Sequence, residues 1–259
     1  MVQVFFTLAL TNLFMTYLHN IGAYFLMIAE MFRKPTKWVV MKQLILKDID
    51  DLIIGSLGIA AFISFFVGGV VTIQTALNID SPLIPKYLVG FATRQSIILE
   101  FAPTFMSIIM AGKVGSFITS SIGTMRVTEQ IDALEVMGIN SINYLVFPKF
   151  IALLLYPFII SIAMFLGILG GMAACVFGGF STLEDYIVGI QIDFETFHVV
   201  YAFIKTFVFA FALATIPSFH GYFMKGGALE VGKASTTSFV WTSVVIILLN
   251  YLLTQMLLS

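Results

Sequence analysis

The stretch FIALLLYPFIISIAMFLGILGGMAACVFGGFSTL, residues 150–183, contains no charged side chain. A helix needs about 20 predominantly apolar residues to cross the hydrocarbon core of a bilayer. As a single helix rising about 1.5 Å per residue, this stretch would be about 50 Å long. We therefore predict one long transmembrane helix that extends beyond a core about 30 Å thick.

The whole chain has the composition of a membrane protein. Of its 259 residues, 59% are hydrophobic and 10% are charged, and the mean hydropathy is +1.03. Because a soluble domain carries about 25% charged residues, this composition excludes an ordinary soluble enzyme. The net charge of −1 gives no reason to expect a nucleic acid as partner. We predict an all-α integral membrane protein.

Four further apolar stretches are predicted to cross the membrane, and they comprise residues 52–79, 87–112, 196–224 and 234–259. Outside the spans, the Lys and Arg residues other than Lys86 lie before the first span and in the loops after the second and fourth spans. The loop after the third span has no basic residue but holds Glu184, Asp185, Asp193 and Glu195. Since basic residues stay on the cytoplasmic side, the N-terminal segment is predicted to be cytoplasmic and the C-terminus external.

The N-terminal stretch 1–29 is uncharged and long enough to cross the membrane, but it carries a polar stripe. Its polar residues recur at helical spacing: Gln3, Thr7, Thr11, Asn12, Thr16, His19 and Asn20. A polar stripe of this kind favours a helix lying in the membrane interface over one surrounded by lipid. A sixth crossing stays open as the alternative. Residues 1–47 are thus interpreted as an interfacial helix followed by a basic cytoplasmic segment.

The loop between the second and third spans contains a short amphipathic helix, predicted over residues 124–137. Thr128 and Glu129 supply a start signal, and Gly138 supplies a stop signal. Glu129, Asp132 and Glu135 recur every three residues on one side. The pattern alone fits equally a solvated surface helix and a projection that docks into a groove of a soluble partner.

No catalytic or metal site is predicted. The segment GALEVGKA, residues 227–234, resembles a phosphate-binding loop, but alanine replaces its final Ser or Thr. It also links two membrane spans instead of a buried strand and a helix, so nucleotide binding is not expected there. The single Cys175 and three scattered histidines have no metal-ligand spacing.

Two segments together carry a family resemblance: AGKVGS, residues 111–116, and IGTMRVTEQIDALEVMGI, residues 122–139. They resemble the MlaE (YrbE) family of ABC-transporter permeases, and the resemblance extends over nearly the whole chain as a single domain, 1–259. It implies an N-terminal interfacial (elbow) helix, five transmembrane helices and a cytoplasmic coupling helix between the second and third. It also implies a homodimer in the bacterial inner membrane that moves phospholipids between the inner and outer membranes. Expected partners are cytoplasmic ATPase subunits, which use ATP and Mg, and a periplasmic lipid-binding MCE-domain protein. This chain itself is expected to bind no cofactor.

Glu100 is the first candidate site residue. A carboxylate inside a span costs about 2.5–3.5 kcal/mol on insertion scales, so it should face a cavity or an opposite charge. By resemblance it matches a glutamate of the lipid cavity, with Phe101 and Gln74 as further cavity candidates. Many relatives carry Arg where this chain has Leu99, which puts in doubt a head-group site built on an Arg–Glu pair.

Lys205 in the fourth span matches a lysine of the family and could hold a lipid phosphate or pair with a buried carboxylate. Pairing is the preferred interpretation, and the alternative role of Glu100 is purely structural, as partner of Lys205 or Arg94. Arg94 is otherwise expected to extend to the outer interface, as long basic side chains do.

The resemblance assigns the contact with the ATPase to five residues: Arg126, Glu129, Gln130, Asp132 and Glu135. A rival hypothesis is an ion- or proton-coupled secondary transporter or channel that uses Glu100 and Lys205. The helix at 124–137 favours the ABC permease, because a self-sufficient carrier does not need a docking helix.

Overall fold

The computed structural model describes residues 2–33, 36–79 and 84–258. Within these ranges the secondary structure is helical throughout, without strands. The helices are α1 (Val2–Met31), α2 (Trp38–Asn78), α3 (Tyr87–Val127), α4 (Gln130–Val136), α5 (Ser141–Leu145), α6 (Phe147–Leu153), α7 (Tyr156–Gly178), α8 (Leu183–Gln191), α9 (Thr196–Tyr222) and α10 (Ala228–Leu258). The predicted all-α membrane fold is confirmed.

Among the residues that the structure describes, five segments are long and apolar enough to cross a membrane: α2, α3, the run Ser141–Gly178 formed by α5 to α7, α9 and α10. The number of spans thus agrees with the prediction, but the helix ends differ. Helix α2 begins at Trp38 instead of residue 52, and α3 continues to Val127 instead of ending at residue 112. At 41 residues each, these helices are about 60 Å long. A charge-free stretch marks the part inside the bilayer, whereas the helical hydrogen bonding continues into the charged turns next to it.

The prediction of a single long span in this region is confirmed, because Ser141–Gly178 is one apolar run of 38 residues. Its bounds differ from the predicted 150–183, and its helix is interrupted. The helix is broken between α6 and α7, where Pro157 occupies the first turn of α7 and supplies no N–H to continue the earlier helix. Helix α7 ends at Gly178, because Gly179 adopts a φ of 67° and the Phe180 N–H bonds to Cys175 O at 3.2 Å. This is a common helix-terminating arrangement. Beyond it lies α8, an outer helix that was not predicted.

Helices α2 and α7 pack closely through glycines. A Cβ atom at Gly68 would collide with the backbone carbonyl of Gly167, and one at Gly170 would collide with the carbonyl of Phe65. Small residues allow such contact between membrane helices, where dispersion forces replace the hydrophobic effect. Gly68 and Gly170 therefore allow direct contact between the backbones of α2 and α7.

The variant Gly68→Ala is expected to separate α2 from α7, because the clash is with backbone and not with a movable side chain. Overpacking of this kind costs about 1–3 kcal/mol, which corresponds to a loss of about 2–12 °C in Tm. The matched control is Gly58→Ala on the same helix, where an added Cβ has no neighbour within 4 Å. Thermal denaturation in detergent should show a loss for Gly68→Ala alone; equal Tm values would contradict the packing role.

The last turns of α1 are attached to the rest of the chain by side-chain hydrogen bonds. Asn140 Nδ2 donates to Glu30 O at 3.0 Å, Asn143 Nδ2 donates to Met31 O at 2.6 Å, and the Tyr24 hydroxyl lies 2.7 Å from Thr215 Oγ1. The interfacial placement of α1 remains a prediction. Of the predicted polar stripe, His19 and Asn20 are exposed. The other members, Gln3, Thr7, Thr11, Asn12 and Thr16, lie outside the part of the chain whose side chains are described.

Candidate functional site

An ion pair lies inside the membrane-spanning part of the chain. Lys205 Nζ on α9 is 2.8 Å from Glu100 Oε1 on α3 and also donates to Leu99 O at 3.2 Å. The Lys205 side chain is fully buried, whereas the Glu100 side chain is 42% exposed. The preferred interpretation of Lys205, pairing with a carboxylate, matches this geometry. The pair therefore has one protected charge and one accessible charge.

Helix α10 adds polar groups to this pair. Asn250 Nδ2 donates to Glu100 Oε2 at 3.0 Å. The Thr104 hydroxyl lies 3.1 Å from Glu100 Oε2 and 2.9 Å from Asn250 Oδ1, so it can donate to either. Thr254, one turn after Asn250, lies 2.8 Å from the Tyr201 hydroxyl. We call this set the Glu100 cluster: Glu100, Thr104, Tyr201, Lys205, Asn250 and Thr254.

Four members of the Glu100 cluster were not predicted from the sequence: Asn250, Thr254, Thr104 and Tyr201. The usable signal was the spacing of Asn250 and Thr254, which are four residues apart in an apolar span and so share one helix face. Tyr201 contributes through its ring, whose centroid lies 4.4 Å from Lys205 Nζ. The face of an aromatic ring attracts a cation, so the Tyr201 ring adds a favourable contact to the buried ammonium group.

The backbone around Glu100 departs from a regular α-helix. Residues Ile97–Phe105 form a π-helical segment that contains Pro103, and such segments occur often at functional sites. In an α-helix, Leu99 O would accept a hydrogen bond from the N–H of residue 103, which proline lacks. Lys205 donates to this same oxygen. The acceptor that helps to hold Lys205 beside Glu100 therefore lies within the π-helical segment.

The other predicted cavity residues lie outside the Glu100 cluster. Phe101 lines a narrow crevice between α2, α3 and α7 that also contains Gly68 and Gly167. Gln74 is exposed near the C-terminal end of α2. Residue 99 is Leu and not Arg, and the cation that contacts Glu100 in the described part of the chain is Lys205. The structure therefore offers no Arg–Glu pair at this point.

The expectation that Arg94 extends to the interface is wrong, because its side chain is almost completely buried. Its guanidinium donates to Ile190 O at 2.6 Å, Ile192 O at 2.8 Å and Asp193 O at 3.2 Å. The last carbonyl oxygens of a helix accept no hydrogen bond from an N–H of the same helix. The Arg94 guanidinium donates hydrogen bonds to the carbonyls at and just after the end of α8 and so attaches α8 to α3.

The predicted single helix over residues 124–137 is also wrong in its first half. Residues 124–127 complete α3, and a turn at Thr128 and Glu129 separates them from α4. Glu129 has a φ of 57°, in the left-handed region, which ends the helical path. The predicted start near Thr128–Glu129 and stop at Gly138 agree with α4, which the buried side chain of Ile131 attaches to the core.

The polar residues of this region have two different environments. Glu129 and Gln130 are exposed and lack tertiary hydrogen bonds in the described part of the chain. Glu135 Oε1 instead accepts hydrogen bonds from Tyr222 OH at 2.9 Å and Ser141 Oγ at 3.0 Å. Arg126 pairs with Asp132 at 2.8 Å, and its guanidinium lies 5.9 Å from the Tyr222 ring centroid. We call this set the Glu135 junction: Arg126, Asp132, Glu135, Ser141 and Tyr222.

The Glu135 junction connects α4 with the ends of three spans. Arg126 belongs to α3, Ser141 begins the third span, and Tyr222 ends α9. The predicted common acidic face is therefore divided, since Glu135 points to the spans while Glu129 stays free. Ser141 and Tyr222 were missed, because their contacts with Glu135 depend on how distant helices meet.

Comparisons with known proteins agree with this arrangement. Residues 45–256 match the family model described as Permease MlaE. A probable ABC transporter permease protein of Rickettsia bellii is 34% identical over 215 residues, covering 83% of each chain. A probable ABC transporter permease protein of Synechocystis sp. is 33% identical over 201 residues, covering 76% of this chain and 75% of the relative.

A plant protein is also similar: the chloroplastic protein TRIGALACTOSYLDIACYLGLYCEROL 1 of Arabidopsis thaliana. It is 31% identical over 215 residues, covering 77% of this chain and 57% of that protein. The family match includes both the Glu100 cluster and the Glu135 junction within its 45–256 range. On these matches, this multi-pass membrane protein belongs to the MlaE family of ABC-transporter permeases.

Proposed function

We propose that this chain is the permease subunit of an ATP-driven transporter that moves phospholipids between the bacterial inner and outer membranes. The observation that carries the proposal is Glu100, which stays 42% exposed in the middle of α3 although its partner Lys205 is fully buried. An accessible carboxylate surrounded by hydroxyl and amide groups suits the polar part of a lipid, while the surrounding spans suit its acyl chains. The name of the Arabidopsis relative contains a lipid, trigalactosyldiacylglycerol.

The transporter contains two copies of this chain, which meet along α10. Only 11% of the most apolar part of α10 is buried within one chain, against 33–56% for the other four spans. Asn250 and Thr254 place the Glu100 cluster beside this uncovered helix. Pairing two copies along α10 would therefore enclose both clusters in one lipid cavity. A periplasmic MCE-domain protein receives or delivers lipid at the outer face.

Cytoplasmic ATPase subunits bind α4 and supply the energy; ATP and Mg are bound by those subunits, and this chain binds no cofactor. The exposed residues Glu129, Gln130, Val136 and Met137 form the docking surface. The Glu135 junction then transmits displacement of α4 to α9 and to the third span. Rigid contacts of this kind can turn a local movement into a rotation of packed helices.

The proposal is tested by reconstituting the chain with its ATPase and MCE-domain partners in liposomes. Transfer of a fluorescent phospholipid should require ATP and should stop when the ATPase carries a substitution of its phosphate-binding lysine. A proton uncoupler should leave transfer unchanged. Transfer that continues without ATP but stops with the uncoupler would instead establish the rival, an ion- or proton-coupled carrier.

A further inference from the structure

A second candidate site lies in the cytoplasmic half of the molecule, away from the Glu100 cluster. A groove of about 340 Å³ separates α1 from α9 and α10. Its walls are mainly apolar, and include Ile21, Tyr24, Ile216, Phe219, Trp241 and Val245. The volume falls within the range of about 300–1,000 Å³ that is usual for small-molecule sites. The groove is thus large enough for part of a lipid.

The cytoplasmic end of this groove is polar and basic. There it continues into a second depression that shares Asn20, Phe219 and His220 and adds Lys225, Glu230 and Lys233. Lys233 Nζ lies 2.6 Å from Glu230 Oε1. Lys225 is exposed and pairs with no carboxylate in the described part of the chain. The polar end therefore carries one positive charge in excess.

The dimensions agree with one lipid leaflet. Along α10, Lys233 and Val245 are separated by about 18 Å at a rise of about 1.5 Å per residue. Half of a hydrocarbon core about 30 Å thick is about 15 Å. A phosphate beside the two lysines would therefore place its acyl chain against Trp241 and Val245.

We propose that this groove binds one anionic phospholipid of the cytoplasmic leaflet. Its phosphate lies beside Lys225 and Lys233, and an acyl chain lies between α1 and α10. The charge decides against a partner's transmembrane helix, since an apolar helix leaves the excess cation without a partner. The site is separate from the Glu100 cluster, whose α10 residues Asn250 and Thr254 lie nearer the outer end. The phospholipid bound in this groove holds α1 against α9 and α10, whichever substrate the transporter moves.

Trp241 is 45% exposed, and its fluorescence can report on a lipid in the groove. The only other tryptophan of the sequence is Trp38, which is removed by the variant Trp38→Phe. The purified Trp38→Phe protein is titrated in neutral-detergent micelles with brominated phosphatidylglycerol or brominated phosphatidylcholine, whose bromines quench nearby tryptophan. Half-maximal quenching is expected at about fivefold less phosphatidylglycerol, since one basic residue near a headgroup gives roughly that preference.

The double variant Lys225→Gln/Lys233→Gln should abolish this preference, whereas Lys42→Gln, an exposed cytoplasmic lysine outside the groove, should retain it. Val245→Phe fills the apolar wall and should weaken quenching by both lipids. Equal quenching by the two lipids, or a preference that survives in the double lysine variant, would overturn the proposal. Loss of quenching by both lipids when the MCE-domain partner is added would assign the groove to a protein helix.

Discussion

Glu100→Gln is expected to destabilise the protein by about 3 kcal/mol or more, because it leaves the buried Lys205 ammonium without a counter-charge. In a chain of this size the corresponding loss in Tm is about 6–12 °C. The reverse change, Lys205→Met, should cost less, since the remaining carboxylate is 42% exposed. Thermal denaturation in detergent measures both. Equal Tm losses for the two variants, or a larger loss for Lys205→Met, would contradict the difference in burial between the two side chains.

The double variant Glu100→Gln/Lys205→Met separates structure from function. It removes both charges, so its Tm should return most of the way to that of the unmodified chain. Its lipid transfer should nevertheless remain at least about tenfold reduced, because the accessible carboxylate is gone. Normal transfer by a stable double variant would show that the pair only holds α3 and α9 together.

A second buried ion pair supplies the matched control. Lys149 Nζ lies 2.9 Å from Asp48 Oδ1, and both side chains are 10% exposed. This pair joins α2 and α6 and makes no contact with the Glu100 cluster. The variant Asp48→Asn/Lys149→Gln should therefore leave lipid transfer within about twofold of normal.

The five spans could be predicted from sequence because a charge-free stretch of sufficient length has a direct physical meaning in a bilayer. The pairing of Glu100 with Lys205 was also within reach, since two opposite charges inside apolar spans each need a partner. Asn250 was not found, because its contact with Glu100 joins residues 150 positions apart in the chain. No local pattern shows which faces of two spans meet.

The errors at Arg94 and Glu129 have a similar origin. The extent of the burial of Arg94 depends on α8, whose terminal carbonyls accept its hydrogen bonds. The turn at Glu129 requires a positive φ, which is uncommon for a residue with a Cβ. Glutamate gives no sequence signal of such a conformation, so the helix was predicted to continue through it.

Tyr222→Phe is expected to uncouple ATP hydrolysis from lipid transfer. The change removes the hydroxyl that bonds to Glu135 at 2.9 Å and lies 2.8 Å from Ser141, while the ring near Arg126 remains. The docking surface of α4 is untouched, so the complex should assemble and hydrolyse ATP within about twofold of the normal rate. Lipid transferred per ATP should fall at least about fivefold, because movement of α4 no longer reaches α9 through the Glu135 junction.

Two further variants locate the effect. Tyr144→Phe on α5 is the control, since the Tyr144 hydroxyl makes no hydrogen bond within the described part of the chain; its transfer per ATP should be normal. Glu129→Lys changes the exposed docking surface and should prevent co-purification with the ATPase. If Tyr222→Phe kept full transfer per ATP, the Tyr222 hydroxyl would make only a structural contact, and the movement would have to reach the spans through the remaining contacts of α4.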